Sequence, residues 1–508
     1  MTLVAGLDVG TSALKLSIVD PGASSDPAAS VLARAEAAYP THAGPGGIAE
    51  QNPEDWWRAA QAAFADPAIT PLARRVGAIG LTGQMQDLIL VSGNRPVRPA
   101  LLYSDVRAAA QAARLHAAIR DWDARTGNLQ DAAAVPAKLA WLAEHEPEAL
   151  ARTEALLFSA PAYVAWRAGG APTSPACDAL TASTTGLLDV DARAWAADIA
   201  RAADARPEIL PALTGLTEGD DVVGHVDAGA AEALGVRAGT PLVLAMGDAG
   251  ATTDGLAGSE PGDAYLYLGT TGWIAGIAPL DAHARPEPSA MHSLVLPEWR
   301  GLLRIGAVLS AGAAAAWSRD TFLPGLTWDQ VEALVAGRVG QVAARPLCLP
   351  GLAGERTPVR DARQRAAFVG VGADTDAVDF HLATLTGVAM GLRHAADAMG
   401  VHQRRIPLVG GGAASPAWRR ILADVLDATI VTGAADDPGG HAAVRAAARA
   451  LGRDVPPPLL GDAAAPGLTE THPSAAAPEL ADLLPTHRTL YDALAPSFHR
   501  MTDRKATP

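Results

Sequence analysis

Cysteine and lysine are almost absent from this chain of 508 residues. The two cysteines, Cys177 and Cys348, lie far apart and provide neither a disulfide framework nor a four-cysteine metal site. Their scarcity excludes a small disulfide-stabilised module and predicts a reducing, cytoplasmic location. Lysine occurs only as Lys15, Lys138 and Lys505. The chain therefore has no Gly-x-x-x-x-Gly-Lys-Ser/Thr run, and any ATP site in it is not a P-loop.

Long apolar runs are also missing. The longest one, 305–317, is too short to span a bilayer, and we expect it to form a buried helix. The first residues contain no basic segment ahead of an apolar one, so we expect no secretory leader and no membrane partner. The formal net charge of −15 argues against nucleic acid as a partner, because the phosphates would repel the protein.

The composition that remains is typical of a globular protein. Hydrophobic residues make up 49% and charged residues 19% of the chain. A chain of this length exceeds one hydrophobic core and suits two domains of roughly 200–250 residues. We place the boundary beside the apolar strand 241–246, which gives domains 1–246 and 247–508.

The first chemical motif lies near the start of the chain. Two apolar runs flank Gly10-Thr11-Ser12, which predicts a β-hairpin with Asp8 at its base. The backbone N–H groups and hydroxyls of such a turn can hold phosphate oxygens, and a nearby carboxylate can hold the accompanying Mg2+.

A similar hairpin is predicted around Gly269-Thr270-Thr271 in the second half. One such hairpin is an ordinary turn, but one in each half suggests a duplicated α/β fold that closes on a nucleotide from both sides. A glycine triplet beginning at Gly410 separates a short strand from a helix that starts near Ser415, an arrangement that lets a ligand approach the backbone.

Periodicity and turn residues predict the other main elements. Predicted helices are 53–64, one beginning near 105, 134–146, 152–167, 376–399, 437–451 and 487–501; predicted strands are 31–39 and 76–81, with a polar loop over 82–87 and loop or short strands over 172–190.

Several of these motifs, taken in order, resemble the FGGY carbohydrate kinases of the actin-like ATPase superfamily. The matching runs are Gly6-Leu7-Asp8-Val9-Gly10-Thr11-Ser12, Glu50-Gln51-Asn52-Pro53, Gly80-Leu81-Thr82-Gly83-Gln84-Met85, Pro136-Ala137-Lys138-Leu139, Gly247-Asp248-Ala249-Gly250, Leu268-Gly269-Thr270-Thr271-Gly272, Gly354-Glu355-Arg356-Thr357-Pro358 and Gly410-Gly411-Gly412-Ala413-Ala414-Ser415-Pro416. The resemblance is greatest to members that phosphorylate D-xylulose. It implies two actin-like (ribonuclease H-like) domains, each a mixed β-sheet flanked by helices, around a catalytic cleft.

The resemblance also implies roles for individual residues. Asp248 matches the general base, which accepts the proton of a sugar hydroxyl; Asp8 matches the residue that orients Mg2+ through water, and Asp248 is implied as a second residue at the Mg2+. The residues implied to bind ATP are Gly10, Thr11, Ser12, Lys15, Gly269, Thr270, Thr271, Gly411, Gly412 and Ser415. The structural alternatives are that Asp248 is a helix N-cap and that Lys15 is a solvated strand residue.

The sugar side departs from the family pattern. The resemblance implies substrate contacts by Gln84, Met85, Gln86, Asp105 and Asp248. Family members that act on xylulose typically continue Gly-Gln-Met with His-Gly, whereas this chain has Gln86-Asp87. Kinase chemistry is unaffected by that change, but the sequence does not decide the substrate. The alternatives are D-xylulose, L-xylulose, ribulose and polyols such as arabitol or erythritol. Arg107, beside Asp105, is expected to be a structural ion-pair partner.

The actin-like hairpins alone would also suit an ATPase that acts as a chaperone or forms filaments, and a sugar-sensing homologue with reduced catalysis is a further alternative. The kinase-type motifs around Gln84, Asp248 and Glu355 favour the kinase. The resemblance implies ATP and Mg2+ as cofactors, a small sugar as substrate, and a possible homodimer.

Overall fold

The computed structural model describes residues 2–23, 30–171, 175–204, 206–210, 216–217, 221–280, 291–341, 345–357, 359–461 and 467–505. The strands are β1 Leu3–Val9, β2 Ala13–Val19, β3 Val31–Ala38, β4 His42–Gly44, β5 Ile48–Gln51, β6 Val76–Gly83, β7 Met85–Ser92, β8 Arg95–Pro96, β9 Ala100–Leu101, β10 Ala155–Ser159, β11 Cys177–Asp178, β12 Leu188–Asp189, β13 Ala194–Trp195, β14 Leu216–Thr217, β15 Val222–His225, β16 Pro241–Leu244, β17 Ala264–Leu268, β18 Gly272–Pro279, β19 His292–Val295, β20 Gly301–Val308, β21 Leu347–Leu349, β22 Ala367–Val369, β23 Arg405–Val409, β24 Thr429–Thr432 and β25 Thr469–Thr471.

The helices alternate with these strands. They are α1 Pro53–Phe64, α2 Thr70–Ala73, α3 Ala109–Ala118, α4 Trp122–Thr126, α5 Val135–His145, α6 Pro147–Arg152, α7 Ala160–Ala168, α8 Ala179–Thr184, α9 Ala197–Ala202, α10 Ala228–Leu234, α11 Asp248–Leu256, α12 Gly312–Phe322, α13 Trp328–Val335, α14 Ala377–Met399, α15 Pro416–Leu426, α16 Pro438–Ala450 and α17 Ala477–Lys505. Short 3-10 turns occur at Pro207–Ile209, Pro297–Trp299 and Gly411–Ala414.

Two sheets, one in each half of the chain, share a single plan. The first has the order β15-β16-β6-β1-β2-β3 and the second β19-β20-β18-β17-β23-β24-β25. In both, the strand of the Gly-Thr hairpin pairs antiparallel with its partner and parallel with a later strand: β1 with β2 and β6, β17 with β18 and β23. This repetition confirms the duplicated fold predicted from the two hairpins.

Helix α16 packs on the first sheet although it follows the second sheet in sequence. The carbonyl oxygens of Gly440 and Ala443 lie so close to Gly6 and Gly80 that a Cβ atom on either glycine would overlap them. Glycine at these two strand positions is what permits the close approach of helix and sheet. Helix α11 packs on α16 in turn, so both halves of the chain meet at these two helices.

Most predicted elements agree with the structure. Helix α1 has the predicted bounds, α14 and α16 lie within one residue of prediction, and α15 starts within one residue of it. Hairpins β1–β2 and β17–β18 form as predicted.

Four predictions were wrong in whole or part. Residues 305–317 are the end of strand β20 followed by α12, residues 152–167 include strand β10, and 82–87 are mostly strand. Within 172–190, where 172–174 lie outside the described residues, helix α8 appears instead of loop alone. Short apolar and alanine-rich runs suit either a buried strand or a helix, so periodicity alone cannot separate them. No helix in the described part of the chain has the length and apolarity needed to cross a bilayer.

Candidate active site

The first hairpin turn is held by its own backbone and by Tyr39. Gly10 N–H donates to the carbonyl of Ala13 at 3.1 Å, and the Tyr39 hydroxyl donates to the Gly10 carbonyl. Asp8 lies directly across the strand pair from Lys15. The structure therefore places Thr11 and Ser12 at a fixed turn with one carboxylate and one ammonium group on the strands behind it.

The second hairpin is fixed by the start of helix α12. Backbone N–H groups of Ala311 and Gly312 donate to the carbonyls of Thr270 and Gly269 at 3.2 and 2.8 Å. The Thr270 side chain remains exposed. The turn around Gly269 is thus rigid, and its hydroxyl-bearing residue stays accessible to a ligand.

Asp248 lies between the two sheets. It is the first residue of α11, and Gly247 is the N-cap residue, so the alternative that Asp248 is the N-cap is wrong. A side chain at Gly247 would collide with Met85 Sδ and Thr181 Oγ1, which approach within 2.6 and 2.8 Å of a Cβ placed there. The sequence-predicted residues Met85 and Asp248 are therefore neighbours.

Asp248 is an exposed residue, yet protein atoms surround its carboxyl densely. Burial, with a smaller contribution from the charge of Asp178, raises the pKa of Asp248 to about 6. Its charge acts in turn on the pKa values of Asp8 from the first sheet and Tyr265 from the second. Asp248 can thus act electrostatically on both halves of the site.

A further carboxylate, Asp437, joins Asp8. It precedes α16, where its side chain accepts a hydrogen bond from Gly440 N–H at 3.2 Å. Burial, together with the charges of Asp437 and Asp248, raises the pKa of Asp8 to about 7, while Lys15 lowers it. Sequence reasoning missed Asp437; its one signal was an aspartate ahead of a Pro-Gly-Gly helix start.

The sugar-side residues follow Gly83 in the chain. Gln84 is buried, and Gln86 takes a left-handed backbone conformation with φ of 64°. Its carbonyl faces the ammonium group of Lys138, with 3.4 Å between Nζ and O. Non-glycine residues in this conformation are uncommon and cluster at functional sites.

A buried charge pair lies beneath Gln86. Burial raises the pKa of Asp87 to about 8 and lowers that of Lys138 to about 8, and the charge of each acts to offset the effect of burial on the other. Lys138 Nζ also donates to the Leu102 carbonyl at 2.7 Å. Asp87 and Lys138 were each notable in the sequence, Asp87 as a departure from the family pattern and Lys138 as one of few lysines. Nothing in the sequence indicated that the two would interact.

Asp105 is engaged by protein groups. Its carboxylate accepts hydrogen bonds from Arg107 Nε at 2.9 and 3.0 Å and from Ala49 N–H at 2.8 Å. Arg107 also donates to Glu50 at 2.7 Å. The expected ion pair of Arg107 with Asp105 is present, and substrate binding by Asp105 stays a prediction.

The glycine triplet opens onto a cavity of about 830 Å³. Gly269, Thr270, Gly411, Gly412 and Ser415 all line it. The second hairpin and the glycine-rich turn therefore line one cavity, and nucleotide binding there stays a prediction.

Helix α15 and its N-cap fix one wall of this cavity. Ser415 accepts a hydrogen bond from Trp418 N–H at 3.1 Å, and Glu332 accepts from Ser415 Oγ at 2.7 Å and from Ala417 N–H at 2.6 Å. Sequence reasoning missed Glu332, which no local motif marks.

Comparison with known proteins agrees with this arrangement. The N-terminal domain model of the FGGY family of carbohydrate kinases matches residues 3–255, and the C-terminal domain model matches residues 267–451. The chain belongs to this family and has the actin-like ATPase fold, and it is a phosphotransferase with an alcohol group as acceptor. Membership decides against the chaperone or filament alternative.

Among individual relatives, the chain is 31% identical to a xylulose kinase from Escherichia coli over 83% of this chain and 84% of that protein. The crystal structure of xylulose kinase from Rhodospirillum rubrum matches with a TM-score of 0.83 and 26% identity, over 98% of this chain and all of that one. A xyloylose kinase from Brucella ovis matches with a TM-score of 0.81 and 27% identity over the same shares.

Proposed function

We propose that this protein transfers the γ-phosphoryl group of ATP to D-xylulose and forms D-xylulose 5-phosphate and ADP. The observation that carries the proposal is the position of Asp248, accessible between the two sheets and adjacent to Met85. The xylulose kinases among its relatives support the choice of sugar.

In the proposed reaction Asp248 is the general base. The sugar hydroxyl gives its proton to the Asp248 carboxylate as its oxygen forms a bond to the γ-phosphorus, and the bond from that phosphorus to the bridging oxygen of ADP breaks. A pKa of about 6 keeps the carboxylate charged at neutral pH and makes it a stronger base than an ordinary aspartate. Beyond this proton transfer, catalysis depends mainly on positioning and charge stabilisation.

ATP would bind with its adenosine in the cavity beside Gly411, Gly412 and Ser415, on the side of the domain 247–508. The turns around Thr11 and Thr270 would hold the phosphates through N–H groups and hydroxyls. The sugar would bind on the side of the domain 1–246, at Gln84, Met85 and Gln86.

The residues fit Mg2+ at Asp8. Two carboxylates in contact, Asp8 and Asp437, repel one another and favour a cation between them and the phosphates. Carboxylate donors beside the predicted phosphate-binding turns suit an ion held by one or two carboxylates, phosphate oxygens and water. Bound Mg2+ would neutralise charge on the phosphates.

A coupled ADP-release assay with Mg-ATP tests the proposal. The panel is D-xylulose, L-xylulose, D- and L-ribulose, D-fructose, glycerol, xylitol, arabitol and erythritol. We expect the largest kcat/KM with D-xylulose. A larger value with another sugar would contradict the choice of substrate, and no stimulation by any sugar would contradict the proposed function.

The second candidate is another ketose or a polyol. The left-handed Gln86 and the buried Asp87, which interacts with Lys138, occupy the positions where family members acting on xylulose have His-Gly. Glutamine donates and accepts hydrogen bonds but carries no proton charge. Should the panel favour a different sugar, the variant Gln86→His should shift the preference toward D-xylulose.

A further inference from the structure

A line of buried amides connects the sugar side of the site with the first hairpin turn. Gln51, at the end of β5, is 2% exposed, and Gln84 is 1% exposed. Gln84 Nε2 donates to Gln51 Oε1 at 2.8 Å, and Gln51 Nε2 donates to the carbonyl of Thr11 at 2.7 Å. One side chain thus joins two parts of the site that are 73 positions apart in sequence.

Trp56 fixes the direction of this line. Its indole Nε1, which can only donate, donates to Gln51 Oε1 at 2.8 Å. The Oε1 atom is therefore the acceptor, and the Nε2 atom must point to Thr11. Gln51 Nε2 also donates to Thr41 Oγ1 at 2.7 Å. Buried amides with several partners of this kind hold one orientation.

Both ends of the line reach predicted ligand positions. Gln84 precedes Met85, which lies against Gly247 beside Asp248. Gln84 Oε1 is buried and has no hydrogen-bond partner within the described residues. A buried acceptor without a partner calls for a ligand or a water molecule. At the other end, the carbonyl of Thr11 belongs to the turn whose N–H groups and hydroxyls face the phosphates in the proposed function.

We propose that Gln51 is a positioning residue that couples sugar binding to the phosphate-binding turn. A sugar hydroxyl that donates a hydrogen bond to Gln84 Oε1 holds the Gln84 amide in one orientation. Through Gln51, the same hydrogen bond holds the Thr11 carbonyl and the turn in place. Sugar and nucleotide therefore bind more tightly together than separately. This inference rests on the proposed function, since it needs both ligands in one site.

The test measures coupling between the two ligands by calorimetry. The Kd of Mg2+ with β,γ-imido-ATP is measured without and with saturating D-xylulose, and the ratio is the coupling factor. We expect about 5- to 150-fold in the unaltered protein, the usual range for coupled sites. Gln51→Met, which keeps the length but removes both polar atoms, should bring the factor to within about 2-fold of one.

Thr41→Val is the matched control, because it removes a hydrogen bond from the same Gln51 Nε2 but leaves the line from Gln84 to Thr11 intact. It should keep the coupling factor of the unaltered protein. Thermal unfolding establishes that each variant is folded. If Gln51→Met does not fold, Gln84→Met breaks the line at its other end, and because the factor is a ratio, a change in sugar affinity alone does not alter it.

The outcomes separate this inference from the proposed function. Sugar phosphorylation with a coupling factor near one in the unaltered protein would overturn the role of Gln51 and leave the function standing. Full coupling in Gln51→Met, or equal loss in Thr41→Val, would also overturn it. Failure of the unaltered protein to bind or phosphorylate any sugar of the panel would instead contradict the proposed function.

Discussion

Asp248 owes its chemical character to its surroundings. The residue is exposed, but the protein around its carboxyl and the charge of Asp178 favour the protonated form and raise its pKa to about 6. Asp178 is itself fixed as the N-cap of α8, where it accepts from Thr181 N–H at 2.9 Å. Residues at the starts of α11 and α8 therefore determine the raised pKa of Asp248.

The variant Asp248→Asn should lose sugar phosphorylation and keep the fold. Asparagine cannot accept the hydroxyl proton, and general-base catalysis usually contributes about 10²- to 10⁴-fold to the rate. We expect a loss of kcat of that size in the ADP-release assay, with an unchanged circular dichroism spectrum. Asp482→Asn, on the exposed face of α17, is the control and should keep full activity. Loss of the folded spectrum in Asp248→Asn would indicate a structural role instead.

The pH dependence of kcat should show an acidic limb set by Asp248. The base is active when deprotonated, so below its pKa of about 6 the rate should fall about tenfold per pH unit. The measurement is kcat with saturating sugar between pH 4.5 and 8, after verifying that preincubation at each pH causes no permanent loss. A flat profile down to pH 4.5 would contradict the assignment of Asp248.

The variant Asp437→Asn should weaken the binding of Mg2+ without disturbing α16. Asparagine caps helices as well as aspartate and also tolerates the left-handed conformation that Asp437 adopts, with φ of 54°. Only the charge beside Asp8 is lost. We expect calorimetry to show weaker binding of β,γ-imido-ATP at limiting Mg2+ and nearly unchanged binding at saturating Mg2+. Equal binding at every Mg2+ concentration would exclude a role for Asp437.

Site residues that lie in a local sequence motif could be predicted. Site residues that only tertiary packing brings to the site could not. Asp8 lies in β1 and Asp248 follows β16, each within a recognisable run, so the sequence indicated both. Asp437 reaches Asp8 only because α16 crosses to the first sheet, and Glu332 reaches Ser415 only through the packing of α13 and α15. No local spacing encodes such contacts.

At the scale of elements, caps and amphipathic periods were reliable signals. The predicted helices 53–64 and 376–399 match α1 and α14, and the structure shows Asn52 and Asp376 as their N-caps. The alanine-rich segment 152–167 was misread because alanine favours a helix while the strand β10 within it is fully buried. Tertiary burial decided that case over intrinsic propensity.

Docking of α16 on the first sheet gives a test of the fold at this scale. In Gly80→Ala the added Cβ would overlap the carbonyl of Ala443, so helix or sheet must shift. We expect a loss of about 1–3 kcal/mol in the free energy of unfolding, as for other overpacked positions. Gly224→Ala in β15 is the control, since a Cβ there meets its nearest atom at 4.0 Å. Equal stability of the two variants in denaturant unfolding would show that α16 is not tightly docked.

At the scale of the whole molecule, duplication was the feature that the sequence indicated best. Two Gly-Thr hairpins about 260 positions apart predicted two equivalent sheets, and the strand pairings are equivalent. The crossing of α16 was not foreseen, because it joins the end of the chain to the first sheet. Asp254 of α11 and Arg445 of α16 form a buried ion pair at this junction, with 2.9 Å between Oδ2 and Nε.

The halves of the chain meet where α16 packs on the first sheet and where α8 contacts β19, and we predict that they close around the site when both ligands bind. Sugar and nucleotide would contact opposite sides of the cleft, and excluding water from it would suppress transfer of the phosphoryl group to water. We expect small-angle scattering to show a smaller radius of gyration with Mg2+, β,γ-imido-ATP and D-xylulose together than with either ligand alone. ADP release without sugar should be slow but measurable. An unchanged scattering curve with both ligands bound would show that the halves do not close on them.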